Sequence, residues 1–238
     1  MKIALIGYGK MGHMIEGIAL ERGHEIVGII DPTLVNGDCS LVTDFDSEEF
    51  RSADVAIEFT TPATAKENVL RAWAQGVPVV CGTTGWKPEE LVNGDWSFVI
   101  EGSRKVVKDE KGKTMLVWSS NFSVGVNIFF DLNKQLAAAM KAQPQYTPSI
   151  KEIHHIHKLD KPSGTAKTLA EQIENELPSL QGGAGGRLPI ESIREGEVPG
   201  THEVKWDSEE DTIIITHIAK GRRGFALGAV LAAEELKQ

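Results

Sequence analysis

Three of the seven histidines fall within four positions, His154, His155 and His157, and Lys158, Asp160 and Lys161 follow at once. Histidine is the side chain that exchanges protons near neutrality, and lysine is a fixed cation. The next residues, Ser163, Gly164 and Thr165, read as a helix start, where unpaired N–H groups and the positive dipole end bind anions. Together these types suit a small carboxylated substrate that receives a hydride and a proton. Lys158 and the helix start would hold carboxylates, and a histidine would deliver the proton. Two plainer readings stand beside this one. His-x-His is half of a zinc site, but no cysteine and no third ligand at metal spacing lies nearby, so no metal is expected. Alternatively, surface histidines of a strand followed by a serine N-cap would look the same locally.

A second chemical signal lies at the N-terminus, where Gly7, Gly9 and Gly12 form G-x-G-x-x-G with Tyr8, Lys10 and Met11 between them. The pattern gains weight from its context. It follows an apolar strand run and opens an amphipathic helix, and Asp31 ends a second strand run nineteen positions after Gly12. Gly7 permits the tight turn, Gly9 lets the backbone approach a pyrophosphate, and Gly12 lets helix and strand pack closely. Asp31 should accept hydrogen bonds from ribose hydroxyls, which favours NADH. Lys10 leaves NADPH open, because a lysine in this loop could reach a 2′-phosphate. Two further loops follow strand runs, Thr60-Thr61-Pro62 and Gly82-Thr83-Thr84-Gly85. Thr60 is equally readable as a helix N-cap before Pro62. The two glycines around Thr83 and Thr84 suggest close approach by a ligand.

The elements that must position these residues alternate along the first half. Residues 3–6, 26–30, 55–59 and 77–81 read as buried strands. Met11, Met14, Ile15, Ile18 and Ala19 give a helical period closed by Gly23, and residues 62–75 give a second helix. Strand alternating with helix implies βαβ units and a parallel sheet covered on both faces. Residues 98–100 and 115–118 read as strands separated by a charged, solvated hairpin over 103–113. A helix follows, with Val126, Phe129, Phe130, Leu132 and Leu136 on its apolar face. From about residue 150 the texture changes. Strand pieces at 150–155, 203–206 and 212–218 surround one strong helix over 165–177, as in an α+β domain with a largely antiparallel sheet. The glycine-rich run 181–186 is the candidate mobile loop, and 226–236 reads as a C-terminal helix. The expected fold is therefore α/β: a Rossmann-type doubly wound parallel sheet plus an α+β second domain with a mixed, largely antiparallel sheet.

Composition agrees with a globular protein and narrows its partners. The chain has 238 residues, 41% of them apolar and 25% charged, with a formal net charge of -9 that disfavours a nucleic-acid partner. Cys39 and Cys81 are too few for a disulfide framework, and the first residues run straight into a strand pattern rather than a signal peptide. No apolar run approaches the roughly 18 residues of a membrane span. A cytoplasmic protein with neither nucleic-acid nor membrane partners is expected.

The stretch from Glu152 to Ala166 resembles the His-His-x-x-Lys-x-Asp-x-Pro-Ser-Gly-Thr-Ala signature of the dihydrodipicolinate reductase family. The likeness extends in order through Gly7 to Gly12, Glu58-Phe59-Thr60-x-Pro62, Gly82 to Gly85, Ser120 to Val126, Arg194-Glu195-Gly196, Pro199 to His202, and Arg222 to Val230. It implies NAD(P)H-dependent reduction of 4-hydroxy-tetrahydrodipicolinate in lysine and diaminopimelate biosynthesis. His154 would be the proton donor, Lys158 would stabilise developing charge and hold a carboxylate, and His155 would contact the substrate. Gly164 and Thr165 would bind the other carboxylate. Thr60, Gly82, Thr84, Asn121 and Phe122 would line the cofactor, with Gly82 and Thr84 near the nicotinamide. The resemblance further implies a split dinucleotide-binding domain, residues 1–122 and 223–238, and a substrate-binding and oligomerisation domain, residues 123–222. Hinges near Ser123 and Arg222 and a homotetramer built through the second domain are expected with it. Two departures stand out: the charged stretch 103–113 has no counterpart in the family, and Asp31-Pro32 lacks the basic residue that some members place after the acidic one, which shifts preference toward NADH. The competing readings are another nicotinamide-dependent amino-acid dehydrogenase, which would lack the 154–166 motif, and an NAD-binding sensor without turnover.

Overall fold

Ile3 and Leu5 alternate with Ala4 and Ile6, all at most 1% exposed, so the first strand carries apolar side chains on both faces and belongs in the middle of a covered sheet. The structure is a computed structural model and describes residues 1–34, 41–92, 96–101, 104–180 and 188–237. The glycine-rich run expected to form a loop, 181–186, lies outside the described residues, as does Cys39. Along the chain the first elements are β1 (Lys2–Ile6), α1 (Lys10–Glu21), β2 (Glu25–Ile30), α2 (Glu48–Arg51), β3 (Val55–Glu58), α3 (Pro62–Ala74) and β4 (Val79–Cys81). Then come β5 (Ser97–Glu101), β6 (Arg104–Lys108), β7 (Thr114–Ser119), α4 (Val124–Met140) and β8 (Thr147–His154). The last are α5 (Gly164–Glu176), β9 (Ile190–Arg194), β10 (Thr201–Asp207), β11 (Thr212–Ile218) and α6 (Arg223–Lys237). They divide into two compact units, Met1–Ser123 with Phe225–Gln238, and Val124–Gly224.

In the first unit a seven-stranded sheet runs β2-β1-β3-β4-β7-β6-β5. Ile3 and Leu5 pack with Ile15 and Ile18 of α1 and Ala229 and Val230 of α6, while Ala4 and Ile6 pack with Phe50 of α2 and Val69 of α3. The sheet is thus doubly wound. Its order reverses at β1, which has β2 on one side and β3 on the other, both parallel. The crevice beyond the carboxyl ends of β1 and β3 is the switch point where such sheets bind ligands.

The charged stretch is corrected by the structure. Residues 104–108 are no solvated hairpin but strand β6, antiparallel to both β5 and β7, so the sheet ends in an antiparallel extension rather than staying parallel throughout. Val106 and Val107 are buried. The charges on either side are absorbed by acids, Lys105 with Glu89 at 2.5 Å and Lys108 with Glu101 at 3.3 Å. The turn back into β7 is set by Asp109, whose Oδ1 accepts the N–H groups of Lys111 and Lys113.

In the second unit a four-stranded sheet runs β11-β10-β8-β9, antiparallel except for the parallel pair β8 and β9. One face packs against α4 and α5 through Val126, Phe130, Ile150, Leu169, Val204 and Trp206. On α4, Leu132 is 49% exposed, against expectation, and the neighbouring Asn133 is buried instead, donating to Leu169 O and Gln172 Oε1. Strand β9 carries no strong sequence signal and was not expected. The opposite sheet face carries Ile214 and Ile218, 51% and 66% exposed.

Candidate active site

The glycine loop after β1 is shaped by contacts that exclude side chains. A Cβ on Gly7, whose φ is +92°, would lie 2.2 Å from the Phe59 carbonyl oxygen, and one on Gly12 would lie 2.4 Å from that of Gly7. A Cβ on Gly9 would meet no protein atom within 4 Å, which leaves open space where a ligand backbone can come close. Gly9 caps α1 without a side-chain hydrogen bond, and the first turn holds no acid, so the positive end of the helix is left for an anion. Lys10 is exposed beside it, Met11 is half-buried, and the Tyr8 ring rests on His13 at 3.9 Å.

Asp31 ends β2 facing this loop. Its Oδ2 accepts Tyr8 N–H at 2.6 Å, and its Oδ1 accepts both N–H and Oγ1 of Thr33, at 2.8 and 2.6 Å. Burial alone would raise the carboxyl, but the bonds from Thr33 and Tyr8 prevail and hold it below the usual range. Asp31 is therefore an oriented carboxylate at the edge of the glycine loop.

Across the switch point, Thr60 is not the helix cap: Thr61 is the N-cap of α3. Thr60 instead donates N–H to Thr83 Oγ1 at 2.8 Å and its hydroxyl to Glu58 Oε1. Glu58 is fully buried and also accepts from the Cys81 thiol at 2.9 Å. A Cβ on Gly82 would overlap the Phe59 ring at 2.1 Å, and the carbonyl of buried Thr83 is pinned by the indole N–H groups of Trp86 and Trp118. Thr84 is left exposed. Asn121 and Phe122 are buried, with Asn121 Oδ1 accepting Ser123 N–H. The Phe122 carbonyl lies against α6, where a Cβ on Gly228 would be 1.7 Å from its oxygen. The glycine loop, Thr60 and the loop from Gly82 to Thr84 are thus collected at the carboxyl edge of one sheet, and they fit a dinucleotide.

The second cluster is built on β8, where residues 148, 150, 152 and 154 point to the buried face. Glu152 is fully buried and His154 6% exposed. Strand register brings Arg194 of β9 beside His154 and His202 of β10 beside Glu152. Glu152 Oε2 lies 3.5 Å from His154 Nδ1 and 3.7 Å from His202 Nε2, and Oε1 lies 3.2 Å from Arg194 Nη2. Both oxygens accept Ser163 N–H, at 3.2 and 3.1 Å. Ser163 in turn caps α5 by accepting Ala166 N–H, so Gly164 and Thr165 open a helix with no acid in its first turn. Lys158 lies on the loop between, its Nζ 2.7 Å from Asp160 Oδ1, with Arg194 donating to the Lys158 and Asp160 carbonyls.

Burial pushes His154 down to about 4; Glu152 and Asp160 oppose the fall, while Lys158 and Arg194 add to it. Burial likewise takes His202 down to about 3. Both rings are neutral at pH 7. Burial would raise the Glu152 carboxyl, but bonds from Ser163 and Ser192 and the proximity of His154 hold it low. Glu152, His154 and His202 place ligand-type atoms within 4.8 Å of one another, a spacing a metal could use. Arg194 already pairs with Glu152 there, and a guanidinium opposes a second cation, so the arrangement is that of a hydrogen-bonded ion-pair network.

Of the three clustered histidines only His154 joins this network. His155 is half-buried beside it in sequence, and His157 is exposed and pairs with Glu197 at 3.1 Å. The structure adds Glu152, Arg194 and His202, to which sequence reasoning gave no role. The signal for Glu152 was available: two residues before His154 on a strand, it must share that residue's face.

Residues 1–94 match the family model described as dihydrodipicolinate reductase, N-terminus, and residues 125–238 match dihydrodipicolinate reductase, C-terminus. The chain is 44% identical over 242 residues to the 4-hydroxy-tetrahydrodipicolinate reductase of Christiangramia forsetii, covering 100% of this chain and 92% of that protein. It is 36% identical over 254 residues to the enzyme of the same description from Staphylococcus aureus, covering 99% and 95%. Among solved structures, dipicolinate-bound dihydrodipicolinate reductase from Paenisporosarcina shares the fold, with a TM-score of 0.68 at 22% identity and coverage of 100% and 94%. A probable aspartate-semialdehyde dehydrogenase from Pseudomonas aeruginosa shares it more loosely, at 0.57 and 12%, covering 99% and 98%.

Proposed function

The chain belongs to the dihydrodipicolinate reductase family, and from that premise we propose that His154 and Lys158 carry its reaction, with the first unit holding the dinucleotide and the second the substrate. The reaction is the NAD(P)H-dependent reduction of 4-hydroxy-tetrahydrodipicolinate in lysine and diaminopimelate biosynthesis. Bound cofactor supplies the hydride. Gly7 to Gly12 at the uncapped start of α1 would hold its pyrophosphate, and Thr60, Gly82, Thr84 and the Asn121-Phe122 backbone would hold its ring end. The substrate is a dicarboxylate, as the dipicolinate ligand of the Paenisporosarcina relative suggests. Lys158 holds one carboxylate; Gly164 and Thr165, at the start of α5, hold the other, with His155 against the substrate. Hydride addition leaves negative charge on the substrate nitrogen, and His154, charged to the imidazolium when the dicarboxylate binds, gives up the proton that quenches it and returns to the neutral imidazole.

The observation that carries this reading is the meeting of three elements of the second unit: buried His154 at the end of β8, Lys158 on the loop after it, and the Ser163-capped start of α5. NADH is the preferred cofactor, because Asp31 is held as an oriented carboxylate by Tyr8 and Thr33 and would oppose a 2′-phosphate. The open sheet face with Ile214 and Ile218 supports a homotetramer built through the second unit. A cytoplasmic setting is part of this proposal, and no helix among the described residues is long and apolar enough to cross a membrane.

A coupled assay with enzymatically generated substrate tests these roles. His154→Ala should lower kcat by about 10² to 10⁴-fold, Lys158→Ala should lower kcat and raise the substrate KM, and kcat/KM should favour NADH over NADPH. Near wild-type kcat in both variants would refute the assignment. A strong NADPH preference would overturn the part given to Asp31 and point to Lys10.

A further inference from the structure

We propose that Glu152 is a positioning residue of this reductase: its buried carboxylate holds the Nδ1 side of His154, so that the proton passes from Nε2 through an opening that Gly200 keeps clear. The inference rests on the reading of His154 as proton donor and adds which nitrogen acts and what aims it.

Glu152 and His154 are two residues apart on β8, so both side chains enter the same buried layer. The carboxylate stands 3.5 Å from buried Nδ1, which makes no hydrogen bond in the structure. Catalytic hydrogen bonds are often long before substrate binds. The opposite nitrogen faces Gly200, whose φ is +150°; a Cβ there would sit 3.1 Å from Nε2. Any side chain at residue 200 would therefore stand over the atom that must reach the substrate. The two ring nitrogens meet opposite environments, an anion on one side and a cleared approach on the other. That asymmetry sets the tautomer in the neutral ring and stabilises the imidazolium when it forms.

The remaining charges around His154 do not supply this. Arg194 on β9 and Lys158 on the following loop are cations that oppose its protonation, and His202 on β10 is buried with its Nε2 3.1 Å from Ser163 Oγ. Asp160 favours protonation but is paired with Lys158. Glu152 is the anion in contact with the ring. Through Ser163 N–H the same carboxylate fixes the turn that opens α5, so the donor and the carboxylate-binding helix start share one anchor.

The test is Glu152→Gln, which keeps shape and an acceptor but removes the charge, measured beside His154→Ala. Cofactor affinity, a property of the first unit, should stay at the wild-type value in E152Q. Its kcat should fall about 10²-fold, and the alkaline limb of the kcat profile should move to lower pH by about 1 to 3 units. If His154→Ala is inactive while E152Q keeps the wild-type pH profile, the inference is overturned and the donor role stands. If His154→Ala retains activity, the donor role itself fails. Long-range ¹H–¹⁵N correlation of the His154 ring in the unsubstituted protein decides the matter even if E152Q does not fold. The proton should sit on Nδ1 at pH 7, and a ring carrying it on Nε2 overturns the proposal.

Discussion

For His154 to act as the proton donor proposed above, substrate binding must recharge it, and the size of that effect follows from its surroundings. With burial holding the ring near 4, only about one molecule in a thousand carries the imidazolium at pH 7. Bringing it to 7 requires about 4 kcal/mol of interaction favouring the charged form. A single carboxylate at about 4 Å supplies about 4 kcal/mol at an effective dielectric of 20. One of the two substrate carboxylates therefore suffices, even with Lys158 and Arg194 drawing part of its field. Dipicolinate, a dicarboxylate that cannot be reduced in the same way, isolates this step. When the bound ring titrates higher than the free one, binding takes up a proton, so affinity is greatest at low pH and weakens as pH rises. Between about pH 4 and the new value near 7, Kd should rise by about tenfold per pH unit. The checks are an NMR titration of the His154 ring with and without saturating dipicolinate, and calorimetry in two buffers of different ionisation enthalpy to count the proton. A ring that stays near 4 in the complex, with no proton taken up, would refute the reasoning and leave Lys158 or solvent as the proton source.

Gly228→Ala should destabilise the first unit by about 3 kcal/mol in urea unfolding, because its methyl group would meet the Phe122 carbonyl oxygen at 1.7 Å and neither backbone can yield without shifting α6; wild-type stability would contradict this. Ile214→Lys combined with Ile218→Lys should convert the homotetramer proposed above to a smaller species in analytical ultracentrifugation while leaving the monomer folded, and an unchanged sedimentation coefficient would exclude that face as the interface.

Legibility in the sequence followed how locally each feature is encoded. The glycine loop, Asp31, His154, Lys158 and the start of α5 lie in contiguous motifs whose spacing follows from one strand and one helix. β6 was missed because a strand of five residues with three cations looks like a solvated turn. Its apolar pair, Val106 and Val107, is buried only because β5 and β7 flank it and acids elsewhere take up the charge. Leu132 and Asn133 exchange their expected places because α4 meets α5 through a polar contact, from Asn133 to Gln172, that no periodicity of apolar residues announces. Arg194 and His202 were visible as parts of family blocks, but their role depends on the register of β9 and β10 against β8. Register across three strands is not written in any one of them.

The two units each carry one device, a fully buried carboxylate near the carboxyl end of a central strand. In the first unit Glu58 accepts from neutral donors, the Cys81 thiol and the Thr60 hydroxyl, and so directs a residue proposed to touch the cofactor. Glu152 in the second unit accepts from a cation and a backbone N–H, and faces the ring proposed to move the proton. A buried carboxylate is costly unless its oxygens are satisfied, and each satisfied oxygen fixes the direction of a donor. The expense is therefore tied to geometry: removing either acid leaves its donors unaimed, whereas an apolar residue of the same volume would keep the core and lose the orientation. The clustered histidines and lysines that first drew attention make the site look basic in sequence. In the folded protein Lys158 pairs with Asp160, Arg194 with Glu152, and His154 is neutral. On the proposed assignment, the positive charge that receives a dicarboxylate thus comes from Lys158, the start of α5 and the proton that the ligand itself draws onto His154.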